Sequence, residues 1–561
     1  MTIAFPSSKV LKNMSTPDNY DFVIIGGGSA GCVLANRLSA DASQKVLLLE
    51  AGERDRHLWL KVPLKFRDLM TDMRFNWGYE TEPEPHLDNR KLYIPRGKVL
   101  GGSSSINGML YCRCHPSDYD HWRQLGLAGW GYADVLPYFK RSERFPDGES
   151  TYHGGDGPLV ITKGDRTSHA HKAYLQAGRA NGYPVTADHN GEMQDGFGPA
   201  DYTIGGGRRS SASRVFLKPV MSRPNLTVIT GALANRIMFE GTRATGVEYR
   251  CNGAVFTARA GREVLLSGGA YNSPQILMLS GIGPAAHLKE HGVKPVYDAR
   301  DVGRNLQDHV HVGVGYQSEH SFDAELRADR LAVAALNWLL FRQGHLATLP
   351  VACLAYIRTR PELSAPDIEL LMNRVNPEAH IWFPGIRKPK GGYIGTRVVL
   401  LHPESRGSVT LRSGNAADKA VIHHNYLSAQ HDMDSLREGV KRALEIYATE
   451  PLASMTGAEV FPGKDIRTDS QIDAYIRSTA SMIYHPTSTC RMGSDPHAVV
   501  DAELRVNGVS GLRVVDASVM PAVPGGHTNA ATIMIAEKAA DLILGRKALP
   551  AAELPVSIAA E

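Results

Sequence analysis

Cysteine is scarce in this chain, with six in 561 residues. So few thiols cannot staple a chain of this length, and their scarcity fits a reducing, cytoplasmic setting. Charge of either sign is not in excess: 62 basic and 58 acidic residues leave a formal net charge of +4. The nearest thing to a basic run, Arg387–Lys390 (RKPK), reads as a solvated loop, so nothing asks for nucleic acid. Apolar runs are short. The longest, Leu331–Phe341 (LAVAALNWLLF), cannot span a bilayer and carries Asn337. It reads as a buried helix, with membrane contact at most peripheral. Met1–Asn19 lacks an apolar core of signal-peptide length, so no secretion signal is expected. Metal-ligand spacing is missing as well. Cys112 and Cys114 form a lone CxC without a second pair, and His169/His171 and His423/His424 lack partners, so no metal site is expected. What remains is 43% apolar and 21% charged, an ordinary composition for a soluble globular protein.

The strongest positive signal is Tyr20–Gly31, YDFVIIGGGSAG, followed by Val46–Gly52, VLLLEAG. Phe22–Ile25 has the apolar run of a strand buried on both faces. It leads into Gly26, Gly28, Ser29, Ala30 and Gly31, and Cys32–Leu38 then shows helical periodicity. Gly26 permits the tight turn, Gly28 leaves room for a pyrophosphate, and Gly31 lets helix pack on strand. The helix start offers free N–H groups to the phosphates. A second strand ends in Glu50 and Ala51, about twenty residues on, where a carboxylate accepts hydrogen bonds from a ribose diol and disfavours a 2′-phosphate. The pattern predicts a dinucleotide site for FAD or NAD.

A second unusual stretch is Pro95–Tyr111, PRGKVLGGSSSINGMLY. Gly102, Ser103, Asn107 and Gly108 are small or polar, and Met109 and Leu110 look buried. That combination suits backbone lying against a flat, heteroatom-rich ring. Strands are predicted at Asn225–Thr230, Ala244–Tyr249, Glu263–Ser267 and Gly511–Asp516, and helices at Ser273–Ser280, Asp434–Ala448 and Thr532–Leu544. From about residue 312 to 480, alternating segments such as Ala352–Arg358 and Arg397–His402 predict an antiparallel sheet.

Taken with GAYNSPQILMLSGIG at 269–283, YHPTSTCRMG at 484–493 and VVDASVMP…GGHTNAATIMIAEKAADLI at 514–543, these blocks resemble the glucose–methanol–choline (GMC) oxidoreductases, nearest to choline-dehydrogenase-like alcohol dehydrogenases. The resemblance runs from about Tyr20 to Arg546. It implies a mixed α/β fold: a Rossmann-like FAD-binding domain with an inserted substrate domain on a mainly antiparallel sheet. The FAD domain is expected over 19–311, with an excursion at about 150–215, the substrate domain over 312–483, and a return to the FAD domain over 484–546. Residues 1–18 and 547–561 are expected to be flexible termini. The implied reaction is oxidation of a primary alcohol to an aldehyde with hydride transfer to flavin N5; a flavin-dependent lyase or photodecarboxylase on the same fold is the alternative.

The resemblance places the catalytic base at His485, an imidazole that titrates near working pH. It places a second catalytic residue at His527, which would bind the alcohol oxygen and also lie against the flavin, with Thr528 and Asn529 opening a helix beside it. Asp516, Ala517, Arg96 and Trp77 look like further cofactor contacts. The family departures carry expectations too. Ile106 stands where covalent-flavin members have histidine, so FAD should be non-covalent. Cys114 and Ser488 replace two family glycines. By an ungapped match Ala352 replaces the glutamate of choline-type members, which argues for neutral alcohols over choline. The candidate pocket lining is Trp338, Phe341, Leu349, Val351, Tyr356, Trp382 and Phe383, with Trp338, Tyr356, Trp382 and Phe383 the candidate substrate contacts. The electron acceptor, whether quinone, artificial acceptor or oxygen, is not readable, and dehydrogenase is favoured over oxidase.

Overall fold

The computed structural model describes residues 19–555. The N-terminal expectation for 1–18 therefore lies outside the described residues, as does 556–561. The first layer is built on β1 (Asn19–Ile25), α1 (Ser29–Leu38), β2 (Val46–Glu50), β3 (Leu226–Thr230), β4 (Ala232–Glu240), β5 (Arg243–Cys251), β6 (Ala254–Leu266) and α2 (Gly269–Leu279). The strands order as β3-β2-β1-β6-β5-β4, with Leu512–Val514 also paired to β6. The β3, β2, β1 and β6 pairings are parallel, and β4, β5 and the first half of β6 form an antiparallel meander. Phe22–Ile25 and Val46–Leu49 are buried on both faces, as their unbroken apolar runs require. Each such side chain contributes roughly 1.5–3 kcal/mol.

The second layer contains β7 (Val310–Gln317), α3 (Ala328–Phe341), β8 (Val351–Ile357), β9 (Ile368–Asn373), β10 (Tyr393–Leu400) and α4 (Gln430–Tyr447). Its sheet is antiparallel in every pairing and runs β7-β10-β9-β8, extended by Glu459–Phe461 at one end and Gly196–Gly198 at the other. The chain then returns to the first layer and closes with α5 (Thr528–Ile543). That helix is buried nearly all round and packs on α1 through an Arg37–Glu537 ion pair of 2.7 Å. Two observations differ from expectation. The α3 helix buries only Ala334 and Trp338, while Val333, Leu336, Leu340 and Phe341 are exposed, because it packs chiefly on the short turns Asp323–Leu326 and His345–Ala347 and not on a sheet. Residues 547–555 are tied down: Leu549 N–H donates to the Tyr138 hydroxyl and Ala552 N–H to the Ala133 carbonyl. Among the described residues no helix is long and apolar enough to cross a membrane.

Candidate active site

A cavity of about 1250 Å³ runs from the glycine turn after β1 to the face of the second sheet. At its first end Gly26, Gly28, Ser29 and Ala30 form the wall. A Cβ on Gly28 would meet no atom within 4 Å, so the space beyond that backbone belongs to a ligand. Gly31 does not reach the cavity. Its Cβ would lie 1.9 Å from the Gly26 carbonyl oxygen, so its role is the close packing of α1 on β1. The second glycine block sits against the first: a Cβ on Gly102 would lie 2.8 Å from Gly28 Cα, and Gly101 N–H donates to the Gly27 carbonyl at 2.7 Å. Its serines satisfy the turn they sit in, Ser104 Oγ donating to the Gly101 carbonyl and Ser105 Oγ to that of Leu100. Glu50 lies across the turn, accepting from Gly27 N–H at 2.8 Å and Gly52 N–H at 2.7 Å. Burial pushes its pKa up to about 7, against the two N–H bonds. Ribose hydroxyls would give that carboxylate the donors a buried charge needs.

Further along, Ala51, Trp77, Arg96, Ser103, Asn107, Gly108, Met109 and Leu110 line the cavity, as do Asp516, Ala517, Thr528 and Asn529. Asn529 Nδ2 donates to Ser29 Oγ at 2.8 Å, joining the start of α5 to the start of α1. Asp516 accepts from Gly269 N–H and Ser273 Oγ, and so fixes the start of α2. Ile106 is on the wall and offers no nucleophile for a covalent link. An open glycine turn, a ribose-facing acid, a backbone shelf and a free helix start fit FAD. Gly28→Val is expected to fold, since a Cβ there meets no protein atom within 4 Å, yet to purify with little flavin. The absorbance ratio near 450 and 280 nm reads this directly.

At the far end the imidazoles form a chain. His527 Nδ1 lies 3.2 Å from His485 Nε2, and His485 Nδ1 lies 2.9 Å from His309 Nδ1. On its other side His527 Nε2 is 3.0 Å from Glu369 Oε1. Both His485 and His527 line the cavity; Glu369 is buried behind them, and its Oε2 has no hydrogen-bond partner. The backbone of His485 is clamped as well. Its N–H donates to Asp308 Oδ1 at 2.6 Å, and Arg96 Nη2 donates to the preceding Tyr484 carbonyl at 2.6 Å.

The electrostatics separate the two histidines. Burial, followed by the charges of His527, His309 and Arg96, holds His485 well below the usual imidazole pKa. Burial alone would lower His527 too, but the Glu369 carboxylate more than offsets it and raises that pKa. The proton order consistent with this is His527 doubly protonated, donating Nε2–H to Glu369 and Nδ1–H to His485 Nε2, with His485 neutral.

The same fold and blocks recur in known proteins. Profiles of the GMC oxidoreductase family match residues 20–311 and 403–536. The chain is 44% identical to the mitochondrial choline dehydrogenase of Mus musculus over 565 aligned positions, covering 98% of this chain and 94% of that one. It is also 44% identical to the oxygen-dependent choline dehydrogenase of Brucella ovis, covering 94% and 96% of the two chains. Among solved structures, pyridoxine 4-oxidase from Mesorbium loti superposes with a TM-score of 0.84 at 33% identity, covering 94% of this chain and all of that one. A formate oxidase variant from Aspergillus oryzae RIB40 gives 0.86 at 27% identity, covering 95% and 99%.

The chain belongs to the GMC oxidoreductase family. It is an FAD-dependent enzyme that oxidises alcohols at a CH–OH group, and nothing in its relatives supports a lyase.

Within this GMC enzyme the two replaced glycines have a physical explanation. Cys114 has φ 69° and Ser488 φ 75°, the left-handed region where glycine costs least. The four candidate substrate contacts are elsewhere. Trp338 is buried with Nε1 donating to the Gly207 carbonyl, and Trp382 donates likewise to Asp323. Tyr356 shares the sheet face of its pair partner Glu369 but is buried beneath the cavity wall, its hydroxyl 3.3 Å from Cys112 Sγ, and Phe383 is exposed. None of the four lines the cavity. Ala352 does not line it either. A bulge between Val351 and Cys353 turns it into the core behind the sheet, while Val351 faces the cavity. Glu369, Asp308 and His309 are functional neighbours that sequence reasoning missed. The available signal for Glu369 was one acid inside the apolar strand IELLMN, a position where a charge is seldom buried without a partner.

Proposed function

We propose that His485 is the base and His527 the alcohol-binding acid in oxidation of a primary alcohol to its aldehyde. The observation that carries this is the His485–His527–Glu369 chain opening on the cavity. An alcohol oxygen placed at the 3.2 Å contact would accept from His527 Nδ1–H and donate to His485 Nε2. His485, neutral at working pH, takes the hydroxyl proton, and the His527 imidazolium stabilises developing alkoxide charge. When bound, FAD supplies the hydride acceptor. Asp308 and Arg96 hold His485 in place through its backbone.

The choline named for the mouse and Brucella relatives is a cation. The acids lining this cavity are Glu50, Asp516 and Asp68. The first two serve the cofactor end, and Asp68 is paired with Lys65 at 2.7 Å. Neutral alcohols, aromatic or medium-chain, should therefore show higher kcat/KM than choline. An alcohol panel under nitrogen tests the whole reading: substrate must bleach the flavin band, and a choline preference over benzyl alcohol and hexanol would refute the specificity. We favour dehydrogenase over oxidase in a cytoplasmic setting, with a quinone, artificial acceptor or oxygen taking the electrons and membrane contact no more than peripheral. Peroxide formed as fast as aldehyde would reverse that preference.

Ala352→Glu is not a specificity switch, because its side chain would enter the packed core. The expected result is loss of soluble protein or a Tm drop of many degrees, from burying an unpaired carboxylate.

A further inference from the structure

Four long cationic side chains line the cavity: Lys65, Arg67, Arg96 and Arg397. Lys65 is paired with Asp68, and Arg67 donates to the carbonyls of Asn376 and Pro377. Arg96 donates to Pro95 and Tyr484. Arg397 is different: among the described residues no side-chain hydrogen bond or ion pair holds its guanidinium, which is exposed to the cavity.

Its setting is built rather than incidental. Arg397 stands on β10 opposite Gly313 of β7 and Leu371 of β9, so it projects from the sheet face that lines the cavity. Glycines keep that face low. A Cβ on Gly315 or Gly395 would lie 2.2 or 2.1 Å from the Tyr393 hydroxyl oxygen, so Tyr393 lies flat over both. Tyr475 is pinned across the floor by donating to the Gly313 carbonyl at 2.7 Å. The Tyr393 hydroxyl has no hydrogen-bond partner among the described residues, and the Arg397 charge acts on it and on His527. Beside them His311 Nδ1 is buried without a partner, and burial together with Arg397 drives that imidazole down to about 3, so it stays neutral.

We infer that the alcohol this enzyme oxidises carries a carboxylate, held by Arg397 with the Tyr393 hydroxyl as a second donor. The inference rests on the alcohol-oxidation reading and narrows its substrate class. The unpaired guanidinium opposes protonation of His527. A substrate carboxylate removes that penalty and makes a charge-assisted, bidentate contact that choline and neutral alcohols cannot make. The neutral-alcohol preference over choline is then a lower rung of the same order.

The test compares isosteric pairs under nitrogen: 4-(hydroxymethyl)benzoate against benzyl alcohol, and 6-hydroxyhexanoate against hexanol. The acid of at least one pair should show kcat/KM higher by about 10- to 100-fold. Arg397→Met should collapse that ratio towards one, and Arg397→Lys should restore part of it. Benzoate, titrated against the flavin spectrum of the holoenzyme, should bind at least tenfold more weakly to Arg397→Met. Bleaching by neutral alcohols with no acid preference, and with benzoate binding indifferent to residue 397, overturns the inference while the alcohol reading stands. If no alcohol bleaches the flavin, the alcohol reading falls and the substrate inference with it, whereas the benzoate titration still decides whether Arg397 is an anion site.

Discussion

Replacing His485 by alanine is expected to slow anaerobic flavin reduction by about 10²- to 10⁴-fold with FAD still bound. The expectation follows from how little else in the chamber can take the proton. The pKa of His485 is held low by burial and by neighbouring positive charge, so the ring is neutral at working pH, and among the neutral imidazoles lining the cavity it is the one in contact with His527. His527, the other imidazole at this contact, is already doubly protonated beside Glu369 and has no free nitrogen to take another proton. His309 touches His485 but not the cavity wall. The variant should keep its flavin because His485 contributes only its backbone to the clamp with Asp308, which alanine preserves. Stopped-flow reduction of the holo-variant gives the answer. A loss below about tenfold is too small for a principal base, and the role would have to pass to another group.

The glycine-rich parts of this site were legible because backbone geometry leaves few choices. Gly102 lies too close to the Gly28 backbone, and Gly31 too close to the Gly26 carbonyl, for either to carry a side chain, while Gly28 opens onto the cavity. Even the departures at Cys114 and Ser488 pointed to a real constraint, since both occupy left-handed backbone. The substrate side was less legible for two physical reasons. Aromatic content alone suggests pocket walls, but Trp338, Tyr356 and Trp382 use their polar tips to satisfy carbonyl or thiol partners within the packing. The bulge beside Ala352 also shifts which residues face the flavin side, and no ungapped match registers an extra residue in a strand. Glu369 and Arg397 lie on neighbouring strands of one sheet, yet one faces His527 from a buried position and the other lines the chamber. That division depends on strand pairing across long sequence separations. Composition and local periodicity do not encode it.

Glu369→Gln should lower kcat/KM at neutral pH by about 10- to 100-fold and move the alkaline limb of its pH profile to lower pH. The amide can still accept from His527 Nε2–H at the 3.0 Å contact, so packing and the ring's orientation survive. What is lost is the charge that outweighs burial and keeps His527 protonated. A charge-assisted hydrogen bond is worth roughly 1.5–3 kcal/mol, which sets the size of the loss. The sign of the pH effect follows from the direction of each shift. Activity requires His485 neutral and His527 protonated, so it occupies the window between a depressed pKa and a raised one. The two imidazoles are in contact, and the two limbs therefore belong to the pair. Removing the carboxylate closes the window from above, and wild-type and variant rates should converge as pH falls. Stability has the same direction. The raised His527 pKa contributes stability that is fully present below the ordinary imidazole value and is lost as pH rises through the raised one, a dependence that should weaken in Glu369→Gln. A purely structural glutamate would lower the rate or the Tm evenly across pH. An unmoved alkaline limb would therefore remove Glu369 from the proton chain.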